Sequence, residues 1–148
     1  MRVTDDQVAT LRAQLKGNLT EHRRLLRELD PDEANVGYAA LIAAAFIEAA
    51  ERRFIRNGKT ADESEVIEFV ARVRETDDEM PEIINPELAE SMILHLLEKG
   101  TTIEADENTK LGHQIVLLTF MIGEEKLNES ELEEFLSSAR SLADELIE

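Results

Sequence analysis

Two stretches limit the fold more than anything else in the chain. Residues 38–47 (YAALIAAAFI) and 115–122 (IVLLTFMI) are apolar with almost no interruption. Neither alternates polar and apolar residues, and a helix that is apolar all round must be surrounded by other elements. Both are far shorter than the roughly 20 residues that cross a bilayer, so they are expected to be buried core helices. Alanine-rich faces in the first let neighbouring helices approach closely. No period-two segment competes, so the expected fold class is all-α. At 148 residues the chain fits a single helical domain, 1–148, able to bury about 68–70% of its unfolded surface.

Caps and periodicity place six helices, with 2 and 5 as the buried central pair. The first opens at Thr4, with Gln7 completing a capping box. Val8, Leu11, Leu15, Leu19, His22, Leu26 and Leu29 then draw one apolar stripe. Gly17-Asn18 can bend or interrupt it, and Asp30-Pro31-Asp32 ends it. The second covers residues 35–57 and stops at Gly58. The third covers 61–75, opened by Thr60 and Glu63, and buries Val66, Phe69, Val70 and Val73. Residues 76–85 form a linker. Asn85 caps the fourth helix, with Pro86 in its first position; Leu88, Met92 and Leu96 form its stripe and Gly100 stops it. The fifth spans 108–124. The sixth begins at Asn128, with Glu131 completing the cap, and buries Leu132, Phe135, Leu136, Ala139, Leu142 and Leu146.

The chain also matches itself. Glu63-Ser64-Glu65-Val66-Ile67-Glu68-Phe69-Val70 aligns with Glu129-Ser130-Glu131-Leu132-Glu133-Glu134-Phe135-Leu136, and Arg74 with Arg140. The shared pattern is E-S-E-[VL]-x-E-F-[VL]-x-x-x-R. Upstream, Phe46 corresponds to Phe120. Helix caps explain the Ser and Glu positions but not Phe and Arg in register. The expectation is a duplicated three-helix unit, with half-repeats 1–75 and 86–148, whose central helix one copy cannot cover. An apolar helix, an acidic loop and a Glu-rich helix start together resemble tellurite-resistance TerB-like helical domains. Those carry an Ala-Asp-Gly turn before the acidic helix. Here the turns read Asn57-Gly58-Lys59 and Glu125-Lys126-Leu127, so the resemblance stops short of membership and no site residue is carried over.

Charge is strongly one-sided. The formal net charge is −17; residues 1–60 contribute +1 and residues 61–148 contribute −18. Such a field repels nucleic acid and anionic membranes and favours a basic protein partner, although acidity also simply confers solubility. The chain has no cysteine, which excludes disulfides and thiolate metal sites. Residues 1–6 contain no apolar secretory core, and the expected location is cytoplasmic. One basic feature stands out: Arg12, Lys16, Arg23 and Arg27 fall within about 60° of one face, over roughly 22 Å, if the first helix is continuous. Their stems can cover apolar edges while their heads pair with acids of the second half.

No catalytic, cofactor or metal residue emerges. Gly58-Lys59-Thr60 resembles the end of a phosphate loop, but Arg53 stands where the first glycine is required. His22, His95 and His113 lack metal-ligand spacing, and His95 reads as a packed or interface histidine. Asp77-Asp78-Glu79 with Glu82, Glu104-Ala105-Asp106-Glu107, and Glu124-Glu125 with Glu129 miss the EF-hand pattern and suit solvated loops and helix N-termini. Asn18-Leu19-Thr20 matches a glycosylation site that lacks a secretory signal. The expected function is a non-enzymatic acidic interaction module, regulatory or of inhibitor or immunity type, with a basic protein partner and scope for homo-oligomerisation. The alternative is a small-ligand- or divalent-cation-binding helical domain, open to enzymatic use, with its pocket between the halves.

Overall fold

The computed structural model describes residues 2–29 and 34–147. Helix accounts for 74% of the chain, with little sheet, consistent with the all-α class. The α-helices are α1 (Asp5–Leu15), α2 (Leu19–Glu28), α3 (Ala39–Phe54), α4 (Glu63–Arg74), α5 (Met80–Ile83), α6 (Pro86–Leu96), α7 (Glu107–Glu125) and α8 (Glu129–Leu146). A π-helical turn, Ala34–Tyr38, leads into α3, and strands β1 (Ile55–Arg56) and β2 (Lys59–Thr60) follow it. Eight α-helices among the described residues replace the six expected, because the first splits in two and the linker contains a helical turn. The expected stop at Asp30-Pro31-Asp32 lies outside the described residues. None of the described helices is long and apolar enough to cross a membrane.

The chain divides into two compact units, Met1–Glu48 with Ile122–Glu148, and Ala49–Met121; the boundaries fall inside α3 and α7. In the first unit, the Thr4–Gln7 capping box opens α1 as expected. The single long helix does not form. Gly17 takes φ +77°, its N–H donates to Gln14 O at 3.0 Å, and Asn18 N–H donates to Ala13 O at 2.9 Å. These two bonds make a Schellman stop, which glycine enters without steric cost. Asn18 then accepts from Glu21 N–H at 3.2 Å and starts α2 in a new direction. Val8 and Leu11 reach the core, but Leu19 and Leu26 are left 52% and 44% exposed.

The chain start is tied to α8. Val3 N–H donates to Asp144 at 2.8 Å, while Arg140 donates to Val3 O at 2.8 Å and to Asp5 at 2.7 Å. On α8 the Asn128–Glu131 capping box forms as expected. Phe135, Leu136, Ala139 and Ala143 are buried on its inner face, whereas Leu146, expected inside, is 53% exposed. Gly37 packs against α1: a Cβ at this position would lie 2.7 Å from the carboxamide of Gln7, itself only 1% exposed. Tyr38 is buried, which pushes its phenol pKa up, and its hydroxyl finds no hydrogen-bond partner among the described residues.

In the second unit, α3 ends at Phe54 and does not reach Asn57. Ile55 pairs with Thr60 and Arg56 with Lys59, in an antiparallel hairpin closed by Asn57 at φ +54° and Gly58 at φ +74°. Asn-Gly is the preferred dipeptide for a two-residue hairpin because both positions need positive φ. The same glycine also suits a helix stop, which is why the sequence alone reads as helix. Thr60 therefore belongs to a strand. Asp62, not Thr60, precedes α4, and it makes no side-chain capping bond. Phe54 and Phe69 meet edge to face at 5.5 Å, with the Arg53 guanidinium 5.1 Å and 5.6 Å from their ring centres.

The expected linker is more ordered than its composition suggests. Asp77 accepts from the N–H groups of Glu79 and Met80 at the start of α5, and Ile84 is fully buried. Asn85 caps α6 through Leu88 N–H at 3.0 Å, with Pro86 in the first turn. α6 stops before the expected Gly100, because Glu98 takes φ +59° and Lys99 N–H returns to Leu94 O at 2.9 Å. His113 is 5% exposed, and its Nε2 accepts from Asn85 N–H at 3.0 Å. An amide nitrogen can only donate, so Nδ1 carries the ring proton and donates to Thr109 O at 2.9 Å.

Candidate functional site: the outer face of the C-terminal helix

α8 carries acids and small polar residues on its solvent side because only one stripe of an amphipathic helix is taken up by the core. Its acidic first turn, Glu129 and Glu131, also suits the positive end of the helix dipole. Two parts of this face differ in what they offer.

The part nearest α1 is already paired. Arg12 donates from Nε and Nη2 to the two oxygens of Glu133, at 2.6 and 2.7 Å. This hydrogen bonding holds the Glu133 carboxyl below its usual range and the guanidinium above its own. Lys16 lies 3.7 Å from Glu129. Half of the basic stripe thus pairs with acids of the C-terminal helix, as the sequence suggested. The other half does not continue it, since the break at Gly17 carries Arg23 and Arg27 onto a different helix.

Further along α8 a groove of about 360 Å³ is lined by Ser137, Ser138, Ser141, Leu142 and Glu145, with Glu48 of α3 completing it. Positions 137, 138, 141, 142 and 145 share one side of an α-helix at 100° per residue. Two carboxylates and three hydroxyls give a lining rich in hydrogen-bond acceptors and free of cationic side chains. Leu142 adds an apolar patch. The lining holds no histidine or cysteine, so no Ser–His or Cys–His pair forms there. A lysine or arginine suits such a groove, with its head on the acceptors and its stem on leucine.

Other candidate residues are dispersed. Asp77 and Asp106 serve as helix caps. The Asp106 carboxyl is held low by the Thr109 N–H and hydroxyl, at 2.7 and 2.9 Å. Glu90 is held above its usual range, first by burial and then by Glu63 and Glu87, against the opposing effect of Arg74. His22 Nδ1 lies 2.9 Å from Thr10 O, and His95 is exposed rather than packed, 3.3 Å from Gly100 O. The three histidines do not converge. Among the described residues, no group of three or more His, Asp or Glu side chains could hold a metal ion.

The sequence signal that would have found the groove is S-S-x-x-S-L-x-x-E, a polar helix face without a cation. Glu48 could not have been found that way, since α3 supplies it from about ninety positions away in the sequence. No protein family, no curated protein and no solved structure matches this chain.

Proposed function

We propose that the chain is a non-enzymatic acidic interaction module that receives a basic segment of a protein partner on the outer face of α8. The observation that carries this reading is the groove with Glu48 and Glu145 in its lining, which holds no cation of its own. The excess of −18 in residues 61–148 supplies the long-range field that would steer a basic partner. An inhibitor or immunity-type role, covering a basic functional surface, is the sharpest form of the reading.

The test is a pull-down from the native host followed by association kinetics with the protein recovered. Glu48→Gln, Glu134→Gln and Glu145→Gln together should lower the association rate more than they raise the dissociation rate. The effect should be large at 0.1 M salt and largely gone at 1 M, as the Debye length falls from about 10 Å to 3 Å. A salt-independent association rate, unmoved by the three substitutions, overturns the reading. Glu133 is left out because Arg12 already neutralises it.

We further propose that the fold arose by duplication of a three-helix unit. Support comes from two helix–connection–helix segments, α3 to α4 and α7 to α8, with Phe69 and Phe135 both buried at corresponding positions. Phe46 is buried while its counterpart Phe120 is half-buried, and the connections differ: a hairpin in the first and a short turn with left-handed Lys126 in the second. Superposition of α3–α4 on α7–α8 in an experimental structure, with Phe69 and Phe135 in unrelated positions, would remove the case.

A further inference from the structure

The α2 helix is an amphipathic element whose apolar stripe its own core does not use. None of its ten residues is buried. Leu19 and Leu26, seven apart and so within about 20° of one another on the helix, are 52% and 44% exposed. His22, hydrogen-bonded to Thr10 O of α1, and Leu25 are half-buried and lie about 50° and 110° round the helix from the middle of that leucine pair, on the side that faces α1.

Arg23 and Arg27 flank the leucines on the opposite side, one turn apart. Both are exposed, and neither forms an ion pair with a described residue. Arg24, the third arginine, points elsewhere and is held between Glu21 and Glu28 on the far side of the helix. In a chain of net charge −17, two exposed arginines with no carboxylate partner among the described residues, Arg27 donating from Nε to Arg23 O at 3.3 Å, lie beside two exposed leucines and mark a face of opposite character to the rest. Leucines at i and i+7 with a flanking cation pair form half of a helix-on-helix contact.

We propose that this face of α2 docks an amphipathic helix of a partner protein that carries acidic residues beside its apolar stripe. Charge complementarity selects that occupant over the two other candidates. A second copy laid antiparallel on α2 would bring Arg23 toward its own counterpart. An anionic lipid surface would set a broad sheet of negative charge against the whole acidic chain, whereas a helix confines its acids to the one flank that meets Arg23 and Arg27. This surface is separate from the groove on α8 and takes a partner of opposite sign, so it stands or falls independently of the function proposed above.

The test uses the full chain and a synthetic helical peptide with leucines at i, i+3 and i+7 and glutamates along one flank. A scrambled peptide of the same composition and a version with lysine flanks are the controls, and binding is read by fluorescence anisotropy. The glutamate-flanked peptide should bind with an affinity that falls as salt rises, and the controls should bind at least tenfold more weakly. Leu19→Ser with Leu26→Ser should weaken binding at least tenfold while leaving the denaturation midpoint in place, since both leucines are exposed. Arg23→Glu with Arg27→Glu should reverse the preference toward the lysine-flanked peptide. Equal binding of the scrambled peptide, no binding at all, or retention of the original preference after charge reversal overturns the proposal. So does self-association that the leucine changes abolish, or adsorption to vesicles of anionic lipid in place of peptide binding.

Discussion

Gly37→Ala probes a contact that sets how the π-helical turn approaches α1. A methyl group at this position would lie 2.7 Å from both terminal atoms of the Gln7 side chain and 3.1 Å from its Cδ. An ordinary contact begins near 3.4 Å, so the carboxamide would have to recede by about 0.7 Å. The end of a glutamine normally swings away cheaply, but this one is 1% exposed and its Oε1 accepts the Thr4 N–H at 3.0 Å. Moving it strains or breaks that half of the capping box, at about 0.5–1.5 kcal/mol for the hydrogen bond. Crowding a packed site costs about 1–3 kcal/mol more. Opposing both, alanine restricts the unfolded chain and returns about 0.4–1 kcal/mol. The net expectation is a destabilisation of about 1–3 kcal/mol. Urea denaturation of a double-mutant cycle with Gln7→Ala isolates the contact. Without the long side chain, Gly37→Ala should be neutral or mildly stabilising. An equal cost in both backgrounds, or a stabilised single variant, would refute the reasoning.

Ala44 is fully buried in α3, so Ala44→Leu should overpack the core and lower the urea midpoint by the equivalent of about 1–3 kcal/mol; an unchanged midpoint contradicts that burial. A Cβ at Gly58 would meet nothing within 4 Å, but the residue sits at φ +74°, so Gly58→Ala should cost about 1–2 kcal/mol through the backbone alone, and Gly58→Asn clearly less. The Arg12–Glu133 pair, with side chains 32% and 51% exposed, should show a coupling of only about 0.5–1 kcal/mol at neutral pH. Because folding lowers the Glu133 pKa from about 4.5, that coupling is present above this value and should fade as the pH drops through and below it. A coupling constant from pH 7 to pH 3 would exclude the ion pair as its source.

Much of the local structure is legible in the residues themselves. Thr4 with Gln7, Asn128 with Glu131, and Asn85 with Pro86 each begin a helix as expected. A cap is a bond between groups three residues apart, so the sequence spells out both partners. The stripes Val66–Phe69–Val70–Val73 and Leu132–Phe135–Leu136 are buried for a related reason, since helical periodicity declares which face turns inward. Where two local solutions compete, the sequence is silent about the winner. Asn57-Gly58 suits a helix stop and a hairpin turn alike, and pairing of Ile55 with Thr60 selects the hairpin. Gly17-Asn18 suits a bend or a break, and the Schellman bonds with Asn18 as a fresh cap select the break.

The groove on α8 divides along the same line. Ser137, Ser138, Ser141 and Glu145 share a helix face that can be drawn from spacing alone, whereas Glu48 joins them only through the packing of α3. The exposure of Leu19 and Leu26, the approach of Gly37 to Gln7, and the bond from Asn85 to His113 belong with Glu48. For Gly37 and Asn85 the deciding neighbour lies about thirty positions away in the sequence. Short-range hydrogen bonds and periodicity are properties of a segment, but which polar residues meet, and which apolar stripe is left uncovered, depends on how segments distant in sequence pack within a unit.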